Sequence, residues 1–390
     1  MATDYQDVWT GVELYQNGSD IWMYRNGNSD RTKLNRSNIV HNLRDHEIDP
    51  DTKIDPKDII IPAASPVWRL SRAPRYNAIT KTFNTYTPTR YLKMQPGSYI
   101  ASLPKQVDIL LRNLAGGQSL VQLINVLAYF FQTLEKPLIT ILMVGPPGTG
   151  KNTFAELMGK LLGDYAVVTQ NTLRNQYNSY LKAPVILLNE LNASPKQSQL
   201  LKTLTDETTV VNEKYKAQTT CHLNNLVLIA SNMRGGNVPM QIEHDDRRVL
   251  ALEGGAGLNL GKDGHTVGWD RDALWTELDD FAQFLLNSAV NPGDVQHPIM
   301  TDTKTRIIEL SMDPIERAVC DWLKSRESED SEDAAPVVEL VDDIKRHQPQ
   351  LKRKVTIAKA TEICRKYGHT IVKLEDRRPA IKGMMSKYFF

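Results

Sequence analysis

A chain of 390 residues, 41% hydrophobic and 24% charged, has the make-up of a globular protein with two or three domains, because single cores stop growing at roughly 250–300 residues. Its formal net charge of +1 is silent about nucleic acid, so any electrostatic signal must come from local clustering. Three distant cysteines, Cys221, Cys320 and Cys364, with no C-x-x-C pair, argue against a disulfide framework and for a reducing compartment, and eight scattered histidines argue against a zinc site.

The opening "MATDYQDVWTG" has no basic stretch followed by an apolar one, and no run approaches the roughly 18 apolar residues of a membrane span. A cytoplasmic location without a membrane partner is therefore expected. The first 104 residues read as a mixed region, with strand-like runs at "DIWMYR" and "DIIIPAA" and a helix around "LNRSNIVHNLRDH". They carry no recognisable chemistry and read as the interior of something longer, which places an upstream domain outside this sequence. Residues 105–135 hold apolar residues at helical spacing, interrupted at Gly116 and Gly117, and are expected to be a helical pair leading into the next domain.

From residue 136 to about 310 the pattern changes to short apolar strands alternating with amphipathic helices. "LITILMV" is a strand, "NTFAELMGKLLG" a helix ended by Gly163, "APVILLNE" a buried strand, "PKQSQLLKTL" a helix begun at a proline, and "NLVLIAS" another buried strand. Continuous apolar runs separated by helices predict an α/β domain whose parallel sheet is covered on both faces. Residues 311–335 read as a helix and an acidic linker, "SRESEDSEDAAP". Residues 336–390 form a separate basic domain, with 13 Lys/Arg against 3 Asp/Glu from Lys345 onward.

The stretch "GPPGTGKNT" carries the chemistry. In a G-x-x-x-x-G-K loop, backbone N–H groups wrap phosphates, glycines permit close approach and the lysine supplies a cation. Those roles fall to Gly145, Gly148, Thr149, Gly150, Lys151 and the following Asn152 and Thr153. The strand before and the helix after are the context such a loop needs, since the helix N-terminus adds partial positive charge.

"VILLNE" ends its strand at Asn189 and Glu190, which makes Glu190 the candidate general base, or else the polar end of a strand meeting solvent. "LVLIASN" ends at Asn232, which suits either a phosphate-sensing amide or a turn. Arg247 and Arg248, beside three acids in "EHDDRR", suit a charge-neutralising finger or surface ion pairs. Lys214 and Lys216 share one face of a predicted hairpin, as a basic finger toward a nucleic-acid backbone or as a solvated tip. Lys151, Glu190 and Asn232 are separated by 39 and 42 residues, enough in each case for a crossover to a parallel neighbour strand. Their order is that of a site at the C-terminal ends of strands.

Taken in order, "GPPGTGKN", "VILLNE", the lysine-bearing hairpin, "LVLIASN" and "DDRR" resemble superfamily 3 helicases. They are most similar to the D5-type modules of phage and viral primase-helicase or primase-polymerase proteins. The resemblance covers roughly Lys105 to Glu253 and extends more loosely to the ends. It implies an AAA+-like P-loop core that assembles as a ring, a hexamer in the family, with ATP and Mg²⁺ at subunit interfaces. It implies that Thr149 and Lys151 contact phosphates, Glu190 activates water, Asn232 senses the γ-phosphate, and Arg247 or Arg248 reaches a neighbour's nucleotide. Lys214 and Lys216 then face single-stranded DNA, an upstream primase or polymerase domain belongs to the parent chain, and the basic C-terminal domain is winged-helix-like. The location becomes the cytoplasm of an infected host cell.

Two residues depart from the pattern. Asn152 stands where a hydroxyl normally helps hold magnesium, and Asn189 where an acid is expected; both offer neutral amide oxygens to a cation that favours carboxylates and water. Thr153 is one position away, about 100° around the helix. Asn152, Asn189 and Glu190 are thus a weak metal set. An ATP-driven ring translocase on single-stranded DNA is the first reading, and a ring-forming DNA-binding platform with weak or no hydrolysis is the alternative. An AAA+ loader fits less well, because the motifs are closely spaced and a lysine hairpin separates base from sensor.

Overall fold

The computed structural model describes residues 12–17, 20–25, 31–34, 60–61, 65–72, 76–77, 79, 82–84, 86–97, 102–174, 177–189, 204, 208–212, 219–232, 240, 242–243, 246–255, 257–258, 268–326, 335–373 and 379–382. The chain forms two compact units, Met1–Thr305 and Arg306–Phe390.

The first unit opens with β1 (Val12–Asn17), β2 (Asp20–Arg25), β3 (Arg31–Leu34) and β4 (Ile60–Ile61), in the sheet order β3-β2-β1-β4. The run "DIWMYR" is β2, as its alternation predicts. The helix expected over Leu34–His46 lies outside the described residues, apart from Leu34, which ends β3. A second small sheet joins β5 (Ser65–Val67), β6 (Tyr76–Asn77) and β7 (Thr82–Asn84) in the order β5-β7-β6.

Two helices follow, α1 (Lys105–Leu114) and α2 (Gly117–Thr133), broken where the glycine pair predicts. Pro104 gives α1 no side-chain cap. Its free N–H groups are met instead by the distant Glu277 carboxylate, which accepts from Gln106 N at 2.8 Å and Val107 N at 3.0 Å.

The centre is a five-stranded sheet of β8 (Thr140–Val144), β9 (Tyr165–Val168), β10 (Val185–Asn189), β13 (Leu226–Ser231) and β14 (Val249–Glu253). Its order is β14-β8-β13-β10-β9 and every neighbouring pair is parallel. Between β10 and β13 in sequence, β11 (Thr208–Val211) and β12 (Thr219–His222) form a separate antiparallel pair. The sheet is parallel because its apolar runs are buried on both faces. Ile141, Met143, Val185, Leu187, Leu226 and Leu228 join one cluster with α1, α2 and α3 (Lys151–Leu162). The alternate residues Leu142, Ile186, Leu188 and Ile229 are buried as well. Each fully buried leucine contributes about 1.5–3 kcal/mol by removal from water, so a charge at Leu187 would break the sheet.

Buried amides tie the helices to the loops around them. Gln122 donates to the carbonyls of Asp294 and His297 and accepts from Ile299 N, while Asn125 exchanges two bonds with the Asn291 backbone. Loop carbonyls buried here would otherwise go unpaired. The segment before α1 caps helix ends in the same way. Tyr86 Oη donates to Leu162 O and Thr89 Oγ1 to Leu161 O at the end of α3, and Arg72 donates to Phe131 O and Gln132 O at the end of α2. Burial lowers the Arg72 pKa and raises that of the Tyr86 phenol.

The second unit packs the helices Pro314–Arg326, Val337–His347 and Ile357–Lys366 around Trp322, Leu340, Ile344 and Tyr367. A three-stranded sheet completes it: β15 (Ala335–Pro336), β16 (Thr370–Lys373) and β17 (Pro379–Lys382), in the order β15-β17-β16. Pro336 occupies an edge strand, where its missing N–H costs no ladder bond. Thr356 caps the last helix by accepting from Lys359 N. The last helix and β16 fall where "VTIAKATEICRK" and "TIVKL" predict them, and Lys352, Arg353 and Lys354 lie exposed just before that helix.

Candidate functional site

The loop Gly145–Gly150 leaves the C-terminal end of β8 and runs straight into α3. From β8 the chain goes to the far edge strand β9, returns through β10 and β13, and then places β14 on the other side of β8. The loop therefore stands at the point where the strand order reverses, the crevice in which open α/β sheets bind ligands.

Its shape follows from its glycines. Gly148 (φ +84°) and Gly150 (φ +97°) hold left-handed backbone, which lets the chain curl back over the start of α3. At Gly145 a Cβ would lie 3.1–3.3 Å from the Gly254 backbone, a tight contact that glycine avoids where β8 and the exit of β14 approach.

Lys151 is 9% exposed, and its ammonium donates to Gly145 O (2.7 Å), Pro146 O (2.9 Å) and Thr149 Oγ1 (3.2 Å). The cation is thus held inside the curl of the loop. The first N–H groups of α3 point out of the helix into the same space, because an α-helix leaves its first four donors without internal partners.

Five further hydrogen bonds brace the loop and the segments around it. Gly145 N donates to Ser231 O at the end of β13 (3.1 Å), and Gly254 N donates to Val144 O (2.5 Å). Leu258 N reaches Gly148 O (2.8 Å). Asn113, at the end of α1, donates from its amide to Thr149 O (3.0 Å) and accepts Gly255 N on its backbone oxygen (2.7 Å). Asn113, Gly254, Gly255 and Leu258 are the loop-bracing residues that sequence reasoning missed. The glycine-rich "EGGAGL" after an apolar run was the available signal for the last three; nothing local marks Asn113.

The register brings several predicted residues to the same edge. Ser231 pairs with Val144, and Asn189 with Ala230, so Asn189 and Asn232 stand at the C-terminal edge beside the loop, both half-buried. Asn152 is exposed and Thr153 half-buried in the first turn of α3. Glu190 lies outside the described residues. So do Lys214 and Lys216, although the strands that would carry their hairpin are seen. The first of those strands hangs on Asn178, which donates to Val210 O (2.9 Å) and accepts from Asn212 N (2.6 Å).

Arg247 and Arg248 are not with the others. They precede β14, and Arg248 O accepts Thr140 N (2.6 Å) at the first residue of β8. A five-residue strand spans roughly 16 Å, so the arginines sit at the opposite edge of the sheet from the loop. Both are exposed, and among the described residues neither guanidinium has an ion-pair partner.

The residues present fit a nucleoside triphosphate: a curled loop with glycine at its two left-handed positions, a helix N-terminus and a lysine at its centre. For magnesium the fit is looser. Among the described residues no group of three or more His, Cys, Asp or Glu could hold a metal ion, and Thr149 Oγ1 is engaged with Pro146 O and Lys151.

A family of unknown function, DUF5906, matches residues 143–248, the span from the phosphate loop to the arginines. The DNA primase-polymerase of Nitratiruptor phage NrS-1 is 27% identical over 266 residues, covering 65% of this chain and 36% of that protein. The chain thus spans little more than a third of that relative's length. Solved structures of the NrS-1 C-terminal region superpose with a TM-score of 0.68 at 21% identity, one covering 96% of this chain and 97% of its own and another 95% and 96%. The chain therefore has the α/β fold of that region, with its parallel sheet and helices, and is related in sequence to a phage primase-polymerase.

Proposed function

We propose that this chain is the nucleotide-driven part of a phage replication protein, a helicase module of the superfamily 3 (D5) kind that moves single-stranded DNA for an upstream primase or polymerase domain. The observation that carries this reading is Lys151 held inside a glycine loop at the switch point of a parallel sheet. In it the loop N–H groups and Lys151 bind the phosphates of ATP and stabilise charge that develops during transfer to water. Glu190, one residue past Asn189, takes the proton of the attacking water, and Asn232 donates its amide to the γ-phosphate.

Magnesium, when bound with ATP, neutralises the β- and γ-phosphate oxygens. Asn152, Asn189 and Glu190 would be the residues to meet it, and the two neutral amides would leave it largely to phosphate and water. Arg247 and Arg248 lie at the far edge of the sheet from their own loop, so they act on a second copy in a ring, a hexamer in the family. Lys214 and Lys216 face the DNA backbone, and the basic segment 336–390 is the winged-helix-like end of the module.

The test compares Glu190→Gln with Lys151→Ala. Glu190→Gln keeps nucleotide affinity and loses turnover, whereas Lys151→Ala loses both. Wild-type turnover by Glu190→Gln would remove Glu190 as the base. Asn152 and Asn189 favour a second reading, a DNA-binding ring platform with little or no hydrolysis. Directional strand displacement coupled to ATP use separates the motor from that platform.

A further inference from the structure

We propose that Lys304 is a positioning residue for Arg247 and Arg248, fixing the reach of their guanidiniums toward nucleotide held by a second copy of this chain. The inference rests on the nucleotide-site reading above and adds a residue to it.

Lys304 is 2% exposed. Its ammonium donates to the backbone oxygen of Asp246 at 2.7 Å, immediately before the arginine pair. Asp246 is held twice more: its N–H donates to Glu243 O (3.1 Å), and its carboxylate accepts Arg248 N (2.7 Å). Arg248 O is fixed in turn by Thr140 N (2.6 Å). The backbone is thus pinned at four points while both arginine side chains remain exposed.

The lysine itself is equally fixed. It lies in the first turn of the helix Asp302–Ser311, where Thr301 Oγ1 accepts Lys304 N and donates to Ala251 O (2.8 Å). Thr303 Oγ1 donates to Glu253 (2.7 Å). These bonds lash the helix start along β14, so the lysine reaches the root of the arginine turn from a rigid base.

Burying an ammonium is costly, and an apolar side chain of the same length would fill the space without that cost. Burial lowers the Lys304 pKa, and the Asp246 charge partly restores it. A charged residue at this place is explained by what it grips, a backbone oxygen whose position sets where the next two side chains begin. Misplacing a reacting group by about 1 Å can cost on the order of 100-fold in rate.

The experiment measures ATP turnover by the full chain with Mg²⁺ and single-stranded DNA. Lys304→Met is predicted to lower kcat at least about ten-fold while KM and the affinity for a fluorescent ATP analogue stay within about three-fold, because its ammonium grips the arginine turn rather than the phosphate loop. Added to the Arg247→Ala/Arg248→Ala double variant, it should lower kcat by less than about two-fold more, since a residue acting through the arginines has nothing left to position. Wild-type kcat in Lys304→Met, or the same loss with and without the arginines, would overturn the proposal. Should Lys304→Met fail to fold, Lys304→Gln keeps a polar side chain too short to grip the Asp246 oxygen, and an unchanged kcat there overturns the proposal equally. Wild-type turnover by the arginine double variant removes the role of the arginines themselves, a failure of the underlying reading that is distinct from the failure of Lys304 alone.

Discussion

Gly150→Ala puts the loop geometry to a quantitative test. Gly150 has φ +97°, and a Cβ there would lie 2.4 Å from Leu110 Cδ1 and 2.9 Å from Leu258 Cδ1. Left-handed backbone costs an L-residue about 1–2 kcal/mol, and overpacking against two leucine ends adds about 1–3 kcal/mol, giving about 2–5 kcal/mol in all. If Met1–Thr305 unfolds as one unit at about 2.1 cal/mol/K per residue, its melting temperature falls by about 3–8 °C. Differential scanning calorimetry of the purified chain measures this, with binding of a fluorescent ATP analogue followed in parallel. Leu110→Ala, which creates space at the contact, should make the double variant less destabilised than the sum of the two by at least about 1 kcal/mol. Melting within about 1 °C of wild type with unchanged nucleotide affinity, or strict additivity with Leu110→Ala, would refute the packing described at this glycine.

Asn113→Ala deletes the amide that holds Thr149 O, and loss of one partly buried bond of about 1 kcal/mol predicts roughly a five-fold fall in nucleotide affinity, read by fluorescence titration. Glu277→Ala strips α1 of its distant cap, and a melting point lower by an amount equivalent to about 1–3 kcal/mol is expected without change in nucleotide affinity. Burial raises the Cys320 thiol to about 11 and the Cys364 thiol to about 12. A raised pKa leaves the folded Arg306–Phe390 unit fully favoured below the ordinary thiol value of 9.0 and progressively less so as pH rises through about 11 and 12. In a Cys221→Ser background both thiols should therefore resist a disulfide reagent at pH 8 until urea is added; rapid reaction in the folded chain would contradict their burial.

The longer contiguous patterns were readable from the sequence. β8, β10 and β13 announce themselves as unbroken apolar runs, the α1–α2 break by Gly116–Gly117, and the loop by its glycines and Lys151. β9 was missed because Tyr165–Val168 is a four-residue edge strand with only Val168 buried, too short for a pattern. Contacts across sequence were invisible for a different reason. Asn113 meets Thr149 across 36 residues, Tyr86 meets Leu162 across 76 and Lys304 meets Asp246 across 58, and nothing local in any of these residues signals a partner. The arginines were legible as a pair, but their edge of the sheet was not, since that depends on Arg248 entering β14 beside Thr140. Glu190, Lys214 and Lys216 remain sequence assignments, lying outside the described residues.

ATP hydrolysis by the chain with Mg²⁺, measured with and without single-stranded DNA beside Lys151→Ala, tests the central claim most directly. Turnover that DNA stimulates and that disappears in Lys151→Ala is the predicted result, and it would mean that Asn152 and Asn189 are tolerated in a working motor. Turnover no higher than that of Lys151→Ala, with DNA binding retained, would contradict the motor and leave a ring-shaped platform that holds nucleotide without spending it.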